Sequence, residues 1–481
     1  MLGVGWTGRI ALRAWHEAAP SALPAVSTPP PLAGIAKAWI DDPPRSRQRF
    51  DLAREQAEEI DPSSAARLVE WLEPSGGSAF YRFGAPTAPS PHDDRSGAPF
   101  RIEYSLDEKL TGIVFEILRR GRVSRGEVIV LDPRSGRLLT YVSTDPEALP
   151  PERAYPAASI VKILTAATLM EEAPREAESS CIYRGNKYRL NYRRLARPKS
   201  GRETTLERAL ATSNNQCFSQ WAVNVLGTEK LNHTFERFGW LSSPAPGHEP
   251  GRVEEVTTKL ELGRLGSGLD GIFVNPLHVA TLASILTDGR WIEPWWVDRI
   301  VDVHGRSLEG PQRRPPRRVI SQDVADRLRG MLVATTKMGT AKSAFRSRRG
   351  RPLIPGIEVA GKTGNLTAGE PFGRYEWFLG LAPADDPTIA VVVLQVQSNL
   401  WWSRSTELAA KIMRDVFCDA GRCDESLANR WTGDLGEWVS PILISELEER
   451  ALLSRADARA DAGASSSSER VSSNATRPNP L

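Results

Sequence analysis

The sequence is short of the residues that build metal centres and membrane spans. Its four cysteines, Cys181, Cys217, Cys418 and Cys423, show no C-x-x-C spacing, so a thiolate knuckle is excluded. Six histidines form no H-E-x-x-H or comparable ligand pair, and no metal is expected. No stretch reaches the ~18 consecutive apolar residues of a spanning helix. The opening residues, MLGVGWTGRIALRAWHEAAPSALPAV, lack the unbroken apolar run of ~7–15 residues that a signal peptide needs. Charge of one sign is missing too. Against 62 Lys and Arg stand 59 Asp and Glu, a net charge of +3, which leaves no global field to recruit nucleic acid. Apolar content of 40% excludes wholesale disorder. Cys418 and Cys423 can bridge in an oxidising compartment or remain two thiols, and their spacing favours neither.

What is present divides along the chain. A length of 481 residues allows roughly two to four domains. Residues 20–34 are a Pro/Ala-rich linker, and 46–73 read as helical, with a break at Asp61-Pro62-Ser63-Ser64 before AARLVEWLE. Turn-formers fill 74–98 and mark a boundary. The reading is an N-terminal linker with a short helical segment over 1–100, a dense domain over 101–440, and a C-terminal extension over 441–481, disordered from about 455. Within the dense part, Leu110, Ile113, Val114, Ile117 and Leu118 make a helical stripe over 106–120. GEVIVLDPRSGRLLTYVS reads as two strands around a turn, and 157–172 as an apolar core helix. Residues 182–200 are a basic, Tyr-rich excursion, read as a solvated loop. Residues 205–238 are two helices around S-N-N-Q, and 275–287 are an apolar helix opened by Pro276. The stretch 305–318 reads as a surface loop. GIEVAGKTG, RYEWFLGLAP and TIAVVVLQVQ read as strands, followed by a helix over 405–417. This order predicts an α+β fold with an antiparallel sheet and a separate helical part.

Three short motifs carry chemistry as a set. Ser159-Ile160-Val161-Lys162 opens the core helix, Ser213-Asn214-Asn215 sits in the polar turn, and Lys362-Thr363-Gly364 lies on a strand. Chance alone yields about one S-x-x-K and about one S-x-N in such a chain, but only roughly 0.05 K-T-G. A serine in the first helical turn shares a face with a lysine three residues on. Enclosed by IVKILTAATL, that lysine loses hydration, which favours the neutral amine and lets it take the serine proton. A nearby Lys362 would depress it further. N–H groups beside Ser159 and after Gly364 can form an oxyanion hole, and Gly364 would let substrate backbone approach an edge strand. Ser213 can relay a proton to a leaving amine, and the Asn215 amide can hold a substrate peptide bond. This is acyl transfer without histidine.

In this order the motifs resemble those of the penicillin-binding transpeptidases and serine β-lactamases. The resemblance spans roughly 101–418, including RIEYSLDEKLTGIVFEIL, ALATSNNQCFSQWAVNVLGTEKLNHTFERFGW and VNPLHVATLASILTDGRWIEP. It implies an α+β fold: an antiparallel five-stranded sheet flanked by helices, with an all-helical subdomain, filling 101–440 as a transpeptidase-like catalytic domain. It also implies Ser159 as acylated nucleophile, Lys162 as its base, and Ser213 and Asn215 as the second motif. Lys362, Thr363 and Gly364 would line the strand that binds a D-Ala-D-Ala end. Asn365 departs from the Thr or Ser usual after K-T-G, replacing a carboxylate-binding hydroxyl with an amide while its N–H still serves the oxyanion hole.

The resemblance implies a peptidoglycan D,D-transpeptidase with no cofactor. It takes peptidoglycan stem peptides as substrate, is inhibited by β-lactams, and works beside membrane or cell-wall synthesis partners. A D,D-carboxypeptidase or weak β-lactamase is the alternative within enzymes, and a non-catalytic penicillin-binding sensor the alternative outside them. The long interval from Ser213 to Lys362 suits transpeptidases. Glu229-Lys230-Leu231-Asn232 is one residue short of a deacylation E-x-x-L-N and reads as surface helix. Such a substrate implies a periplasmic or cell-envelope, membrane-associated protein, with an anchor upstream of Met1 or a delivering partner. The residues leave open whether Cys217 faces cleft or core, and whether Trp401-Trp402 rims the cleft or packs on the terminal helix.

Overall fold

The computed structural model describes residues 67–72, 100–145, 148–245, 248–302, 307–308, 313–397 and 402–433. The expected helix over 46–61 and the tail from 455 lie outside them. In chain order, the first half contains β1 (Arg67–Leu72), β2 (Phe100–Asp107), α1 (Glu108–Arg120), β3 (Gly126–Leu131), β4 (Leu138–Ser143) and α2 (Lys162–Glu172). Then come β5 (Cys181–Tyr183), β6 (Arg202–Thr204), α3 (Leu206–Ala211), α4 (Asn215–Trp221) and α5 (Gly227–Arg237). The second half holds α6 (Lys259–Ser267), α7 (Pro276–Asp288), β7 (Val297–Asp302) and α8 (Gln322–Lys337). It closes with β8 (Ala360–Ala368), β9 (Gly373–Ala382), β10 (Ile389–Gln397) and α9 (Ser405–Phe417).

A five-stranded antiparallel sheet of order β8-β9-β10-β3-β4 forms the centre. Its central strands β9, β10 and β3 are largely apolar because both of their faces are covered. Along β10, Ala390, Val392, Leu394 and Val396 enter one core, while Ile389, Val391 and Val393 enter the other. Side chains of a strand alternate between faces, so a continuous aliphatic run serves two cores. The second core is closed by α1 and α9, through Leu110, Val114 and Leu118 on one and Leu408, Ile412 and Met413 on the other. The first is closed by the helical part, with α2, α7 and α8 contributing Ile163, Leu164, Leu282, Ile285 and Leu328. The expected α+β architecture, five antiparallel strands flanked by helices, is the one observed.

Local chemistry sets the helix ends. Asn275 caps α7 with Pro276 in the first turn, and His278 Nδ1 accepts from the Asn275 N–H at 2.9 Å. The other ring nitrogen of His278 lies 2.7 Å from the Ser242 carbonyl. This buried histidine is therefore structural, and burial pushes its pKa down to about 4.

Two expectations are corrected. AARLVEWLE does not continue a helix: Arg67–Leu72 is β1, antiparallel to β2 in a sheet of order β1-β2-β7 with Ser307–Leu308 at its far edge. The run L-V-E-W-L fits either period, and a partner strand some thirty residues away decides it. The presumed surface loop at 305–318 supplies that edge strand, and Arg317–Arg318 pairs with Arg290–Trp291.

Candidate active site

The first motif sits where a strand end turns into a helix. Ala158–Val161 is one 3₁₀ turn that runs into α2, with Ser159 half-buried in it. Ala158 takes a left-handed φ of 47°, unusual for a residue with a Cβ. Lys162 follows at the first position of α2 and is fully buried. Its Nζ lies 2.7 Å from Ser159 Oγ, 2.8 Å from Asn215 Oδ1, and within hydrogen-bond distance of the Ser267 carbonyl at the end of α6.

The surroundings of those three contacts favour the neutral amine. Burial, and then the charge of Lys362, hold Lys162 well below the ordinary lysine range. A neutral amine has two N–H groups and one lone pair. Asn215 Oδ1 and the Ser267 carbonyl can only accept, so they take the two N–H groups. The lone pair then faces Ser159, whose hydroxyl donates to it. This is the geometry of an activated serine.

The second motif lies in the turn between α3 and α4. Ser213 adopts a left-handed φ of 52°, and Asn214 caps α4 by accepting from the Gln216 and Cys217 N–H groups. Asn215 then opens α4. Its Oδ1 holds Lys162, and its Nδ2 donates to the Tyr188 carbonyl at 3.0 Å. Sequence reasoning gave the amide to a substrate peptide bond; here both of its ends have protein partners.

The third motif is on β8, the edge strand of the central sheet, which among the described residues pairs with β9 alone. Lys362 is fully buried, donates to Ser213 Oγ at 3.2 Å and to the Thr363 carbonyl at 2.7 Å, and burial lowers it to about 7. Thr363 Oγ1 lies 2.6 Å from Thr340 Oγ1. Asn365 is exposed, and its Oδ1 accepts from Arg374 Nε at 3.1 Å. Gly364 has a packing reason of its own. A Cβ there would meet Trp377 Cβ at 3.1 Å and Ala158 Cβ at 3.2 Å. The glycine thus lets β8 press against the turn that carries Ser159.

The structure therefore gathers Ser159, Lys162, Ser213, Asn215, Lys362, Thr363, Gly364 and Asn365 around one cleft edge. Three contributors went unseen in the sequence. Ser267 and Tyr188 act through backbone carbonyls, which leave no side-chain signature. Thr340 follows α8 on a segment tied to the end of α3 by its N–H to the Ala211 carbonyl at 3.1 Å; its nearness to Thr363 is purely tertiary.

Cys217 faces the core and is bridged to Cys181, while Cys418 is bridged to Cys423. Trp402 is exposed under the Arg122 guanidinium, 4.3 Å from the ring centroid; Trp401 is outside the described residues. Among the described residues, no cluster of His, Cys, Asp or Glu could hold a metal, and no helix is long and apolar enough to cross a membrane.

Known proteins share this frame. Residues 126–417 match the family model for the penicillin binding protein transpeptidase domain. Over 313 residues the chain is 27% identical to a peptidoglycan D,D-transpeptidase PbpA of Mycolicibacterium smegmatis, covering 56% of this chain and 61% of that protein. The chain thus spans about three fifths of that relative's length. Penicillin-binding protein A of Mycobacterium tuberculosis superposes with a TM-score of 0.53 at 23% identity, over 65% of this chain and 80% of that one. Its imipenem acyl-enzyme complex gives the same TM-score at 22% identity, over 65% of this chain and 78% of that one. With the family model matching more than half of its length, the chain belongs to the penicillin-binding protein transpeptidase domain family.

Proposed function

We propose that this chain is a peptidoglycan D,D-transpeptidase, a serine acyltransferase that acts on D-Ala-D-Ala stem peptides and is acylated by β-lactams. The observation that carries this reading is the Ser159–Lys162 contact at 2.7 Å, made where burial favours the neutral form of the lysine. Substrate adds as an extended strand along the open edge of β8. Ser159 Oγ attacks the carbonyl of the penultimate D-Ala while its proton passes to Lys162. The tetrahedral oxygen rests on the N–H groups of Ser159 and Asn365. The C–N bond then breaks, and the departing D-Ala amine takes the proton that Lys162 had received, relayed by way of Ser213, which Lys362 hydrogen-bonds, so that Lys162 is neutral again. An acceptor amine attacks the Ser159 ester, gives a proton to Lys162, and Ser159 leaves with that proton.

Aminolysis is favoured over hydrolysis. No carboxylate is hydrogen-bonded to Ser159, Lys162, Ser213 or Lys362 among the described residues. Glu229 is exposed on α5 rather than aimed at the ester. Two disulfides suit an oxidising compartment and support a periplasmic or cell-envelope location, with membrane and cell-wall synthesis partners there.

Labelling with a fluorescent penicillin, followed by mass mapping, tests the reading. A stable adduct on Ser159 that is absent in Ser159→Ala is the expected result. Absence of an adduct at any concentration would replace the enzyme with a non-catalytic member of the fold. A stem-peptide mimic offered together with an amine acceptor then separates aminolysis from hydrolysis.

A further inference from the structure

The basic excursion is a strap across one end of the cleft. It leaves the body at β5 and returns at β6, which pair with one another. The Cys181–Cys217 bridge fastens its base to α4. Gln216, next to Asn215, grips it three times: Oε1 accepts from the Arg184 N–H, and Nε2 donates to the Arg184 and Asn186 carbonyls. The Gln216 N–H donates to the Lys187 carbonyl, and Asn215 Nδ2 to the Tyr188 carbonyl. A chain of three contacts, through Asn215 and Lys162, therefore links the strap to Ser159.

Its cations differ in what they touch, and the side chains of Arg189, Arg193 and Lys199 are simply exposed. Arg184, Arg194 and Arg197 close the strap on itself, donating to the carbonyls of Ser200, of Asn186 and Arg189, and of Ser180. The side chains of Lys187, of Arg202 on β6 and of Arg208 on α3 have no hydrogen-bond or ion-pair partner among the described residues. Lys187 is half-buried with its Nζ 5.2 Å from the Tyr188 ring centroid. Burial, and then the charges of Arg208 and Arg202, lower its pKa, so both guanidiniums act on this half-buried amine. Converging like charges destabilise the fold unless something negative shares the site.

We propose that Lys187, Arg202 and Arg208 bind a side-chain carboxylate of the donor peptide, upstream of the bond that is cleaved, and so select acidic stems. The inference rests on the transpeptidase reading above. A peptide extended along β8 would run past the Asn215 side of the cleft, and Lys187 is held there by its carbonyl, which accepts from the Gln216 N–H. An exposed basic surface elsewhere would suit any polyanion. This one is attached to Asn215, which favours the peptide that occupies the same cleft.

The test uses two thioester donors, identical except for a carboxylate or a carboxamide on one upstream side chain. Their kcat/KM values are compared in the full chain, in Lys187→Met and in Lys187→Arg. The expected result is a preference of about fivefold to tenfold for the acid, as a partly exposed ion pair gives. It collapses toward unity in Lys187→Met, persists in Lys187→Arg, and shrinks with added salt. The ratio is the readout, so a variant that merely loosens the site lowers both donors together and leaves the ratio unchanged. A wild-type ratio near one, or a ratio unmoved in Lys187→Met, overturns the proposal. Sedimentation with anionic phospholipid vesicles that Lys187→Met abolishes, in the absence of donor selectivity, would reassign the cluster to lipid. Should penicillin fail to label Ser159, calorimetric binding of the two peptides decides the carboxylate site without turnover: tighter binding of the acid supports it, and equal binding sinks it.

Discussion

Lys362 has the most exposed consequences of any single residue. Burial lowers it to about 7 from the ordinary 10.5. Below about 7 it is cationic, suppresses protonation of Lys162, and can support proton delivery through Ser213. Acylation by an amide donor should therefore fall as pH rises through 7. Lys362→Arg, whose guanidinium stays charged, should lower the rate but remove that limb. Stopped-flow acylation across pH 5.5 to 9 measures both, and an identical limb in the two proteins would exclude Lys362 as its source. The same shift has a stability consequence. Between about 7 and 10.5 the unfolded chain binds a proton that the folded site refuses, so this residue's contribution to stability rises with pH across the window. Thr340 is the second informative position. Its hydroxyl lies beside that of Thr363, on the strand where Asn365 lacks one. Thr340→Val keeps the shape and removes the hydroxyl. The second-order rate of penicillin acylation should drop about tenfold if this hydroxyl contributes a hydrogen bond of about 1 kcal/mol or more to the bound carboxylate. An unchanged rate would leave Thr363 sufficient.

At the scale of elements, the end of α6 matters as much as the motifs. Gly268 terminates it at a φ of 67°, and a Cβ there would sit 1.9 Å from the Ala158 carbonyl oxygen. The same helix end presents the Ser267 carbonyl to Lys162. Gly268→Ala should displace the Ser159 turn and the lysine acceptor together, cutting acylation at least a hundredfold while circular dichroism stays native. Near-normal labelling would show that the turn yields without loss. The disulfide between β5 and α4 spans 36 residues. Replacing both cysteines by alanine should cost about 2–4 kcal/mol in urea unfolding, the usual range for a loop of this size. These elements also show what the sequence could and could not disclose. S-x-x-K and S-x-N are local, and their helix-start settings are written in the neighbouring residues. K-T-G is rare enough to be noticed alone. The pairing of Cys181 with Cys217, the strand at Arg67–Leu72 and the carbonyls of Ser267 and Tyr188 depend on partners distant in sequence. Gly364 reads in the sequence as a place of close approach, and in the fold Ala158 approaches it.

Over the whole molecule, the double-sided sheet makes the site rigid and also creates one uncomfortable residue. Each fully buried Val, Leu or Ile contributes about 1.5–3 kcal/mol, and β3, β9 and β10 are lined with them on both faces. Glu127 interrupts this pattern. It sits on β3 opposite Ser143 and Leu394, is buried, and neither carboxyl oxygen has a hydrogen-bond partner. Burial, and then the charge of Glu152, raise its pKa well above the usual 4.5. The folded state keeps a proton that the unfolded chain releases above 4.5, so ν_N exceeds ν_U and stability falls as pH rises from there. Glu127→Gln has nothing to ionise. Its unfolding temperature should exceed the wild type's by a few degrees at pH 8, where 1 kcal/mol moves a protein of this size by roughly 1–1.5 °C. The difference should narrow toward pH 5, where the wild-type carboxyl is protonated in the fold at little cost. Scanning calorimetry at the two pH values reads this directly. A gap of equal size at both would mean that packing of the amide, rather than the carboxyl's ionisation, sets the change.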